Sequence, residues 1–231
     1  MIWDDFCSWY LEWIKPGFEQ PIDTAVYQKT VVYFEELMQL LHPFMPFITE
    51  EIYHRLKERK EGDDLTIRQL HAGIQPDTNT LQQGILLKDI ITGLRDARNK
   101  HQLKPKDVID LFVETENPSA FGLLNEILCR QVNASALSFT SESISDSLTV
   151  VIGKEKFYIR SGKEIDPSQQ RESLLKELEY YQGFLAAVDK KLSNERFVQN
   201  AKPEVVELER RKKEDAEQKM KIIQESLRSI S

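Results

Sequence analysis

The sequence predicts a mainly α-helical protein that consists of a helical bundle, a small α+β connecting unit and an antiparallel coiled-coil hairpin. Apolar residues recur with a helical period over most of the chain. Short stretches between residues 108 and 159 alternate instead and are β-branched, which indicates strands. Near the C terminus, two long charged segments with coiled-coil periodicity flank a polar interruption. We place the three parts at residues 1–80, 81–165 and 166–231.

The first part contains three predicted helices. Ile2–Ile14 would be apolar over much of its circumference, so we expect it inside the bundle, and Pro16-Gly17 ends it. A chain that opens on such a segment is expected to continue a longer polypeptide. Asp23–Leu41 is the second helix, with Asp23 as its N-cap, and Phe47–Leu56 is the third. The predicted inward-facing residues of the second helix are Val26, Val31, Phe34, Leu37, Met38 and Leu41.

A boundary and a long amphipathic helix are predicted next. Leu65–Leu70 reads as a short extended piece, and the turn-forming residues of Pro76–Thr80 mark the start of the second part. A helix over Leu81–Lys100 follows and ends in a basic run. Its predicted inward-facing residues are Ile85, Leu87, Ile91 and Leu94.

The remainder of the second part is predicted to be a small α+β unit. Val108–Val113 is a strand, and Asn117-Pro118 opens a short helix. Leu148–Ile152 and Phe157–Ile159 are strands of a hairpin. Because no glycine-rich phosphate-binding loop is present, we expect a spacer rather than a nucleotide site.

The third part has two seams of apolar residues with alternating spacings of three and four. Asp166-Pro167 is predicted to cap its first helix, and Pro203 to open the second. About ten non-helical residues would join them, so the arms fold back antiparallel. The first seam comprises Leu174, Leu178, Tyr181, Leu185, Val188 and Leu192, and the second Val206, Ala216, Met220, Ile223, Leu227 and Ile230, with Glu209 and Lys213 in intervening slots.

Three motifs in these parts carry a resemblance to a known family. The interruption Leu-Ser-Asn-Glu-Arg-Phe-Val at 192–198, followed by Asn-Ala-Lys-Pro-Glu-Val-Val at 200–206, resembles the C-terminal coiled-coil arm of bacterial-type valyl-tRNA synthetases. Leu-His-Pro-Phe-Met-Pro-Phe-Ile-Thr-Glu-Glu-Ile-Tyr at 41–53 is similar to a helix junction in the anticodon-binding bundle of class I synthetases. Ile-Thr-Gly-Leu-Arg at 91–95 is similar to the stretch after that bundle, although Thr92 stands where the family often has arginine.

The resemblance implies a partner and a division of labour. The bundle would meet the anticodon stem-loop of valine tRNA, and the coiled coil the outer corner of the tRNA. The parent protein, implied to be a cytoplasmic monomer, would activate valine with ATP and Mg²⁺ in catalytic and editing domains. No His-Ile-Gly-His-like or Lys-Met-Ser-Lys-Ser-like motif occurs here, so this chain is expected to be inactive alone and to need no cofactor.

The residues by themselves also argue against catalysis. The four histidines lie in different segments, so no nucleophilic triad is indicated; they are His42, His54, His71 and His101. The two cysteines, Cys7 and Cys129, form no CxxC motif, so no zinc site is indicated. Glu50, Glu51 and His54 lack the HExxH pattern and read as a helix face. A net charge of −7 argues against non-specific nucleic-acid coating but allows a local basic patch. No apolar run suits a membrane span, and we expect a cytosolic protein.

Two basic regions are the candidate tRNA contacts. One is the end of the predicted helix over 81–100, and the other surrounds the interruption at 192–203. A solvated helix face is the alternative for each. Phe197 would either stack on a base or close the hairpin against Val198. A protein-binding adaptor or chaperone-like module is the alternative function. The candidates are Arg95, Arg98, Lys100, Lys190, Lys191, Asn194, Arg196, Phe197, Lys202, Arg210 and Arg211, with Lys212 and Lys213 in the same basic run.

Overall fold

The computed structural model describes residues 2–70, 75–122, 124–162 and 167–229. They are mainly helical with a small four-stranded mixed sheet, and they form two compact units that divide between Asp77 and Thr78. The second unit holds both the sheet and the two long C-terminal helices, so the predicted separation into three domains stays a prediction. The predicted cap at Asp166, together with His71 and Ile230, lies outside the described residues.

The first unit consists of a π-helical segment, Ile2–Tyr10, and the helices α1 (Leu11–Ile14), α2 (Thr24–Leu41) and α3 (Pro46–Leu56). Asp23 caps α2 as predicted, since its carboxylate accepts hydrogen bonds from the first backbone N–H groups of that helix. All six predicted inward-facing residues of α2 are buried or half-buried.

The prediction of a buried first helix is wrong. No residue of the π-helical segment is buried, and Trp3 is 77% exposed. The segment is exposed because α2 packs against one of its faces and does not enclose it. Phe6 stacks on Phe34 with ring centroids 5.6 Å apart, and the Tyr10 hydroxyl lies 3.0 Å from that of Thr30.

A buried ion cluster holds α2 to the chain that follows α3. Glu35 is 3% exposed, and its carboxylate accepts hydrogen bonds from Lys57 and from Arg59, the latter at 2.6 Å. The Arg59 guanidinium also lies 3.2 Å from the centroid of the Tyr53 ring and donates to the Tyr53 carbonyl. The charges of the cluster therefore compensate one another inside the unit.

The predicted extended piece over 65–70 is also wrong in its first half, because residues 65–67 form a turn. Glu50 causes this: its carboxylate accepts from the backbone N–H groups of Leu65 and Thr66 and from the Thr66 hydroxyl. Leu65 is thereby turned into the core beside Met38 and Tyr53.

The second unit begins with α4 (Thr78–Lys100) and continues with β1 (Ile109–Glu114), a 3-10 helix (Pro118–Phe121) and α5 (Asn125–Val132). The strands β2 (Ala134–Phe139), β3 (Leu148–Ile152) and β4 (Glu155–Arg160) complete a sheet of order β2-β1-β4-β3. β1 runs parallel to β2 and antiparallel to β4, and β3 pairs antiparallel with β4.

The face of α4 differs from the prediction at one position. Ile85 is 60% exposed, whereas Leu87, Ile91 and Leu94 are buried as predicted and Ile90 joins them. Gly93 lies close to β3, and a Cβ atom there would approach Ile152 Cγ1 of that strand to 2.7 Å. The absence of a side chain at Gly93 therefore lets α4 pack directly on the sheet.

Two glycines of α4 give a matched test of this packing. Gly93→Ala is expected to lower the free energy of unfolding by about 1–2 kcal/mol, because the overpacking exceeds the gain in helix propensity. Gly84→Ala should raise it by up to about 1 kcal/mol, since nothing lies within 4 Å of the position that its Cβ atom would take. Urea unfolding followed by circular dichroism measures both. Equal effects of the two substitutions would contradict the close approach of α4 to β3.

The chain ends in α6 (Pro167–Leu192), α7 (Glu195–Asn200) and α8 (Pro203–Ser229). Contacts between α6 and α8 run in reversed order along the chain, since Lys191 pairs with Glu209 and Lys219 donates to the Tyr181 hydroxyl. Five residues of the two predicted seams are buried: Leu174, Val188, Val206, Ala216 and Ile223. Leu174 and Ile223 also pack on Val151 of β3, which joins the helix pair to the sheet. Among the described helices, none has the length and apolarity that crossing a membrane requires.

Candidate nucleic-acid interface

The interruption between α6 and α8 is a short helix, not the non-helical loop that the sequence predicted. Asn194 is the N-cap of α7, and its side-chain oxygen accepts hydrogen bonds from the backbone N–H groups of Arg196 and Phe197. The C-terminal end is closed by the Ala201 N–H, which donates to the Phe197 carbonyl. Asn194 therefore has a structural role in the turn, because its hydrogen bonds fix the start of α7.

Phe197 is half-buried, as is its neighbour Val198. This degree of burial suits the closing of the hairpin better than a freely exposed base-stacking surface. Phe197 stays a predicted tRNA contact.

Several cations near α7 are engaged in ion pairs. Lys213 Nζ of α8 lies 2.7 Å from Asp189 Oδ1 of α6, and this hydrogen bond raises the pKa of Lys213. Glu209 is largely buried, and the hydrogen bond from Lys212, together with the charge of Lys191, lowers its pKa. The pairs Lys213–Asp189 and Lys191–Glu209 connect the two helices, whereas the pairs made by Lys212 and Arg211 lie within α8. The pairs are Lys191 with Glu209, Lys212 with Glu209, Lys213 with Asp189 and Arg211 with Glu207.

Four other cations are exposed and form no ion pair with any residue that the structure describes. We call them the tip cations: Lys190, Arg196, Lys202 and Arg210. Lys190 and Arg210 flank the Lys191–Glu209 pair in sequence, so they lie at the same level of the two helices. Arg196 and Lys202 lie at the two ends of α7. The result is a group of exposed cations at one end of the helix pair, where Glu195 and Glu204 are also exposed, and exposed cations are what phosphate contacts require.

The candidates at the end of α4 differ sharply from one another. Arg98 is 3% exposed, and its guanidinium donates to the carbonyls of Val132, Lys104 and Asp107. Because the Arg98 side chain is buried, it cannot reach RNA, and the prediction that it contacts tRNA is wrong. Arg98 instead joins α4 to the end of α5 and to the loop before β1. A sequence signal existed, because Arg98 follows Leu94 by four residues on the buried face of α4.

Arg95 and Lys100 are both exposed. Arg95 donates to the carbonyl and to the side-chain oxygen of Gln131 at 3.0 and 2.9 Å. Lys100 ends α4 next to His101, whose pKa is lowered by burial and by the charge of Lys100. Of the three candidates on α4, Lys100 is thus the least engaged with the protein.

Three groups in the first unit could in principle hold a metal ion. His54 Nε2 lies 2.9 Å from Asp64 Oδ1 and 3.3 Å from Glu50 Oε1. Both Glu50 oxygens already accept the hydrogen bonds that hold the turn at 65–67, and Glu51 pairs instead with Arg55. The Glu50 carboxylate therefore closes that turn, and the interpretation of Glu50, Glu51 and His54 as a helix face stays a prediction.

Comparison with known proteins defines the class of this fold. Residues 1–113 match the family model described as the anticodon-binding domain of tRNA ligase, and this match extends past the boundary between the units into β1. Residues 166–231 match the family model described as the valyl tRNA synthetase tRNA binding arm. The two matches together define the tRNA-binding part of a tRNA ligase. The chain belongs to the valyl-tRNA synthetase family.

Relatives with a named activity agree with this assignment. The chain is 38% identical over 231 residues to the valine–tRNA ligase of Parabacteroides distasonis and 37% identical over 230 residues to that of Phocaeicola vulgatus. It is 30% identical over 240 residues to that of Agrobacterium fabrum. Each comparison covers 100% of this chain but only 25–26% of the relative. The chain thus spans about a quarter of the length of these relatives.

Proposed function

We propose that this chain is the non-catalytic tRNA-binding region of a valine–tRNA ligase. The tip cations carry the proposal, because they place four exposed cations, with no ion pair to a described residue, at one end of the helix pair in a chain whose net charge is −7. The matches to an anticodon-binding domain and to a tRNA-binding arm support it independently. Valine activation with ATP and Mg²⁺ would belong to catalytic and editing domains of the same cytoplasmic, monomeric enzyme.

The two units would contact different parts of valine tRNA. Residues 1–80 would form the helical bundle that binds the anticodon stem-loop, as the family match to residues 1–113 supports. Residues 166–231 would form an antiparallel coiled coil that contacts the outer corner. The burial of five seam residues and the reversed order of the ion pairs between α6 and α8 support this arrangement. A stiff helix pair holds its cations at fixed spacing, so folded RNA can be recognised by shape and by phosphate contacts.

Charge reversal at the tip tests this function. Arg196→Glu with Lys202→Glu is expected to weaken binding of a valine tRNA transcript by about 10-fold or more and to reduce the slope of log affinity against log salt by about 2. The matched control is Lys221→Glu with Arg228→Glu, two cations of α8 that lie far from α7 along the helix. The control changes net charge equally but should retain most of the affinity.

Fluorescence anisotropy with labelled transcript measures both variants. Equal losses in the two variants would mean that overall charge, not the tip, determines binding. Failure of the unmodified chain to bind the transcript would contradict the function itself and would favour the alternative of a protein-binding adaptor or chaperone-like module.

A further inference from the structure

A second group of exposed cations lies in the second unit, where α4, α5 and the loop before β1 meet. It consists of Arg95 on α4 and of Lys104 and Lys106 in the loop, and we call it the loop cations. Neither lysine forms an ion pair within the part of the chain that the structure describes. The tip cations lie at α7 and the adjoining ends of α6 and α8, so the two groups occupy different places in the fold.

Arg95 is held in one orientation by the end of α5. Its Nη2 donates to the carbonyl and to the side-chain oxygen of Gln131, at 3.0 and 2.9 Å. A guanidinium carries five N–H donors, and those on Nε and Nη1 form no hydrogen bond with a described residue. A planar cation that is fixed on one side and has donors left on the other suits the oxygens of a phosphate.

The two lysines are positioned through their own carbonyl groups. The Lys104 carbonyl accepts from the guanidinium of Arg98, which also donates to the Val132 carbonyl. The Lys106 carbonyl accepts from the side-chain amide of Asn133 at 2.9 Å. The backbone of the loop is thus attached to the end of α5, while both lysine side chains remain exposed.

The loop cations therefore lie around one short stretch of chain. Residues 131–133 are consecutive, and each is joined by hydrogen bonds to a segment that carries one of the three cations. Consecutive Cα atoms are about 3.8 Å apart, so the stretch spans less than about 8 Å. Three cations from α4 and the loop are thereby brought to the same surface.

A buried positive charge lies beneath this surface. Arg98 is 3% exposed, donates to backbone carbonyls and forms no ion pair with a described residue. Burial lowers the pKa of Arg98, and the charge of Asp107 opposes this effect only in part. Asp107 is half-buried, and its carboxylate accepts from the backbone N–H of Lys104. Asp96 points elsewhere, since it lines a cavity between α4 and α6. Asp107 thus offsets part of the charge, and the surface stays positive.

We propose that the loop cations bind phosphate groups of the RNA backbone. Exposed cations held at fixed positions, one of them a guanidinium with free donors, provide what phosphate recognition requires. The inference rests on the proposed function and deepens it. The α+β unit, which the sequence predicted to be a spacer, would contribute a phosphate contact of its own to tRNA binding.

Charge reversal in the loop tests this inference. Lys104→Glu with Lys106→Glu should weaken binding of the valine tRNA transcript by about 10-fold or more and reduce the slope of log affinity against log salt by about 2. The loop should keep its conformation, because only the backbone carbonyls of the two lysines hold it. Circular dichroism checks this. Lys221→Glu with Arg228→Glu changes the net charge equally and is again the matched control.

A footprint distinguishes this contact from that of the tip cations. Hydroxyl-radical cleavage of the transcript, at protein concentrations that saturate it, should reveal a protected segment that is lost with Lys104→Glu and Lys106→Glu. The same segment should stay protected with Arg196→Glu and Lys202→Glu. Because the two groups share no residue contacts, the losses in log affinity should add when all four substitutions are combined.

The outcomes separate this inference from the proposed function. If the transcript binds and Arg196→Glu with Lys202→Glu weakens it, the function holds. If Lys104→Glu with Lys106→Glu then binds as tightly as the control and protects the same nucleotides as the unmodified chain, the phosphate contact is overturned and the lysines are solvated residues of the loop. If the unmodified chain does not bind the transcript, the function itself fails and the inference fails with it.

Discussion

Replacement of Arg98 by methionine is expected to lower the free energy of unfolding of the second unit by about 3–5 kcal/mol. Arg98 is buried and donates hydrogen bonds to the carbonyls of Val132, Lys104 and Asp107. Methionine has a similar reach but no donor, so three inward-facing carbonyls would lose a charged hydrogen-bond partner. The loss would fall where α4, the end of α5 and the loop before β1 meet.

Urea unfolding measures this decrease in the free energy of unfolding, and the positions of the tryptophans show which unit is affected. All three tryptophans, Trp3, Trp9 and Trp13, lie in the first unit, so their fluorescence reports that unit, whereas far-UV circular dichroism reports both. Arg98→Met should shift the dichroism transition and leave the tryptophan transition in place. Arg95→Met is the control, because Arg95 is exposed, and it should cost less than about 1 kcal/mol. Similar losses in the two variants would contradict the structural role of Arg98.

Glu35→Gln is expected to lower the free energy of unfolding of the first unit by about 3–5 kcal/mol at neutral pH. The substitution would remove the carboxylate 2.6 Å from the buried Arg59 guanidinium and leave it only the longer contact with Asp63, at 3.4 Å. Glu36→Gln is the matched control, because Glu36 is the neighbouring glutamate on α2 and lies outside the ion cluster, and it should change stability by less than about 0.5 kcal/mol. Tryptophan fluorescence during urea unfolding measures both.

The ion pair of Glu35 and Arg59 also predicts that the stability of the first unit depends on pH. Burial of the Glu35 carboxyl by itself would raise its pKa, but the hydrogen bonds from Lys57 and Arg59 outweigh burial and leave the pKa below its ordinary value. A carboxyl whose pKa is lower in the folded state stabilises the fold above its unfolded pKa, about 4.3, and this contribution is lost as the pH falls through the folded value. The difference in stability between the unmodified chain and Glu35→Gln should therefore narrow below about pH 4. A difference that stays constant with pH would contradict the ion cluster.

Much of the helical part of the fold was predictable, because its signals are local. Asp23 as an N-cap, Pro203 as a first helical residue and the seam from Leu174 to Val188 are each specified by residues within a few turns of one another. β2 was missed because Ala134–Phe139 is rich in serine and alanine and has no strong β-forming pattern. The position of β2 is set by its pairing with β1 and by Asn133, whose left-handed backbone conformation ends α5.

The location of the candidate site was predictable from the sequence, but the division of its cations into ion-paired and exposed ones was not. The sequence showed a basic run near the interruption, yet it could not show which cations face a carboxylate on the opposite helix. That depends on the register of α6 against α8, which brings Lys213 to Asp189 and leaves Lys190 exposed. Arg98 was misassigned although its spacing from Leu94 was visible, because a cation at the end of a basic helix was interpreted as solvated.

Binding of RNA at two salt concentrations tests the central claim most directly. The dissociation constant of the chain is measured for a valine tRNA transcript and for an unrelated RNA hairpin of equal length. If the four tip cations each contact a phosphate, the affinity for the tRNA should fall by about 50-fold or more between about 50 and 200 mM salt. The tRNA should also bind more tightly than the hairpin at both concentrations. Equal affinity for the two RNAs, or an affinity for tRNA that does not change with salt, would contradict the account.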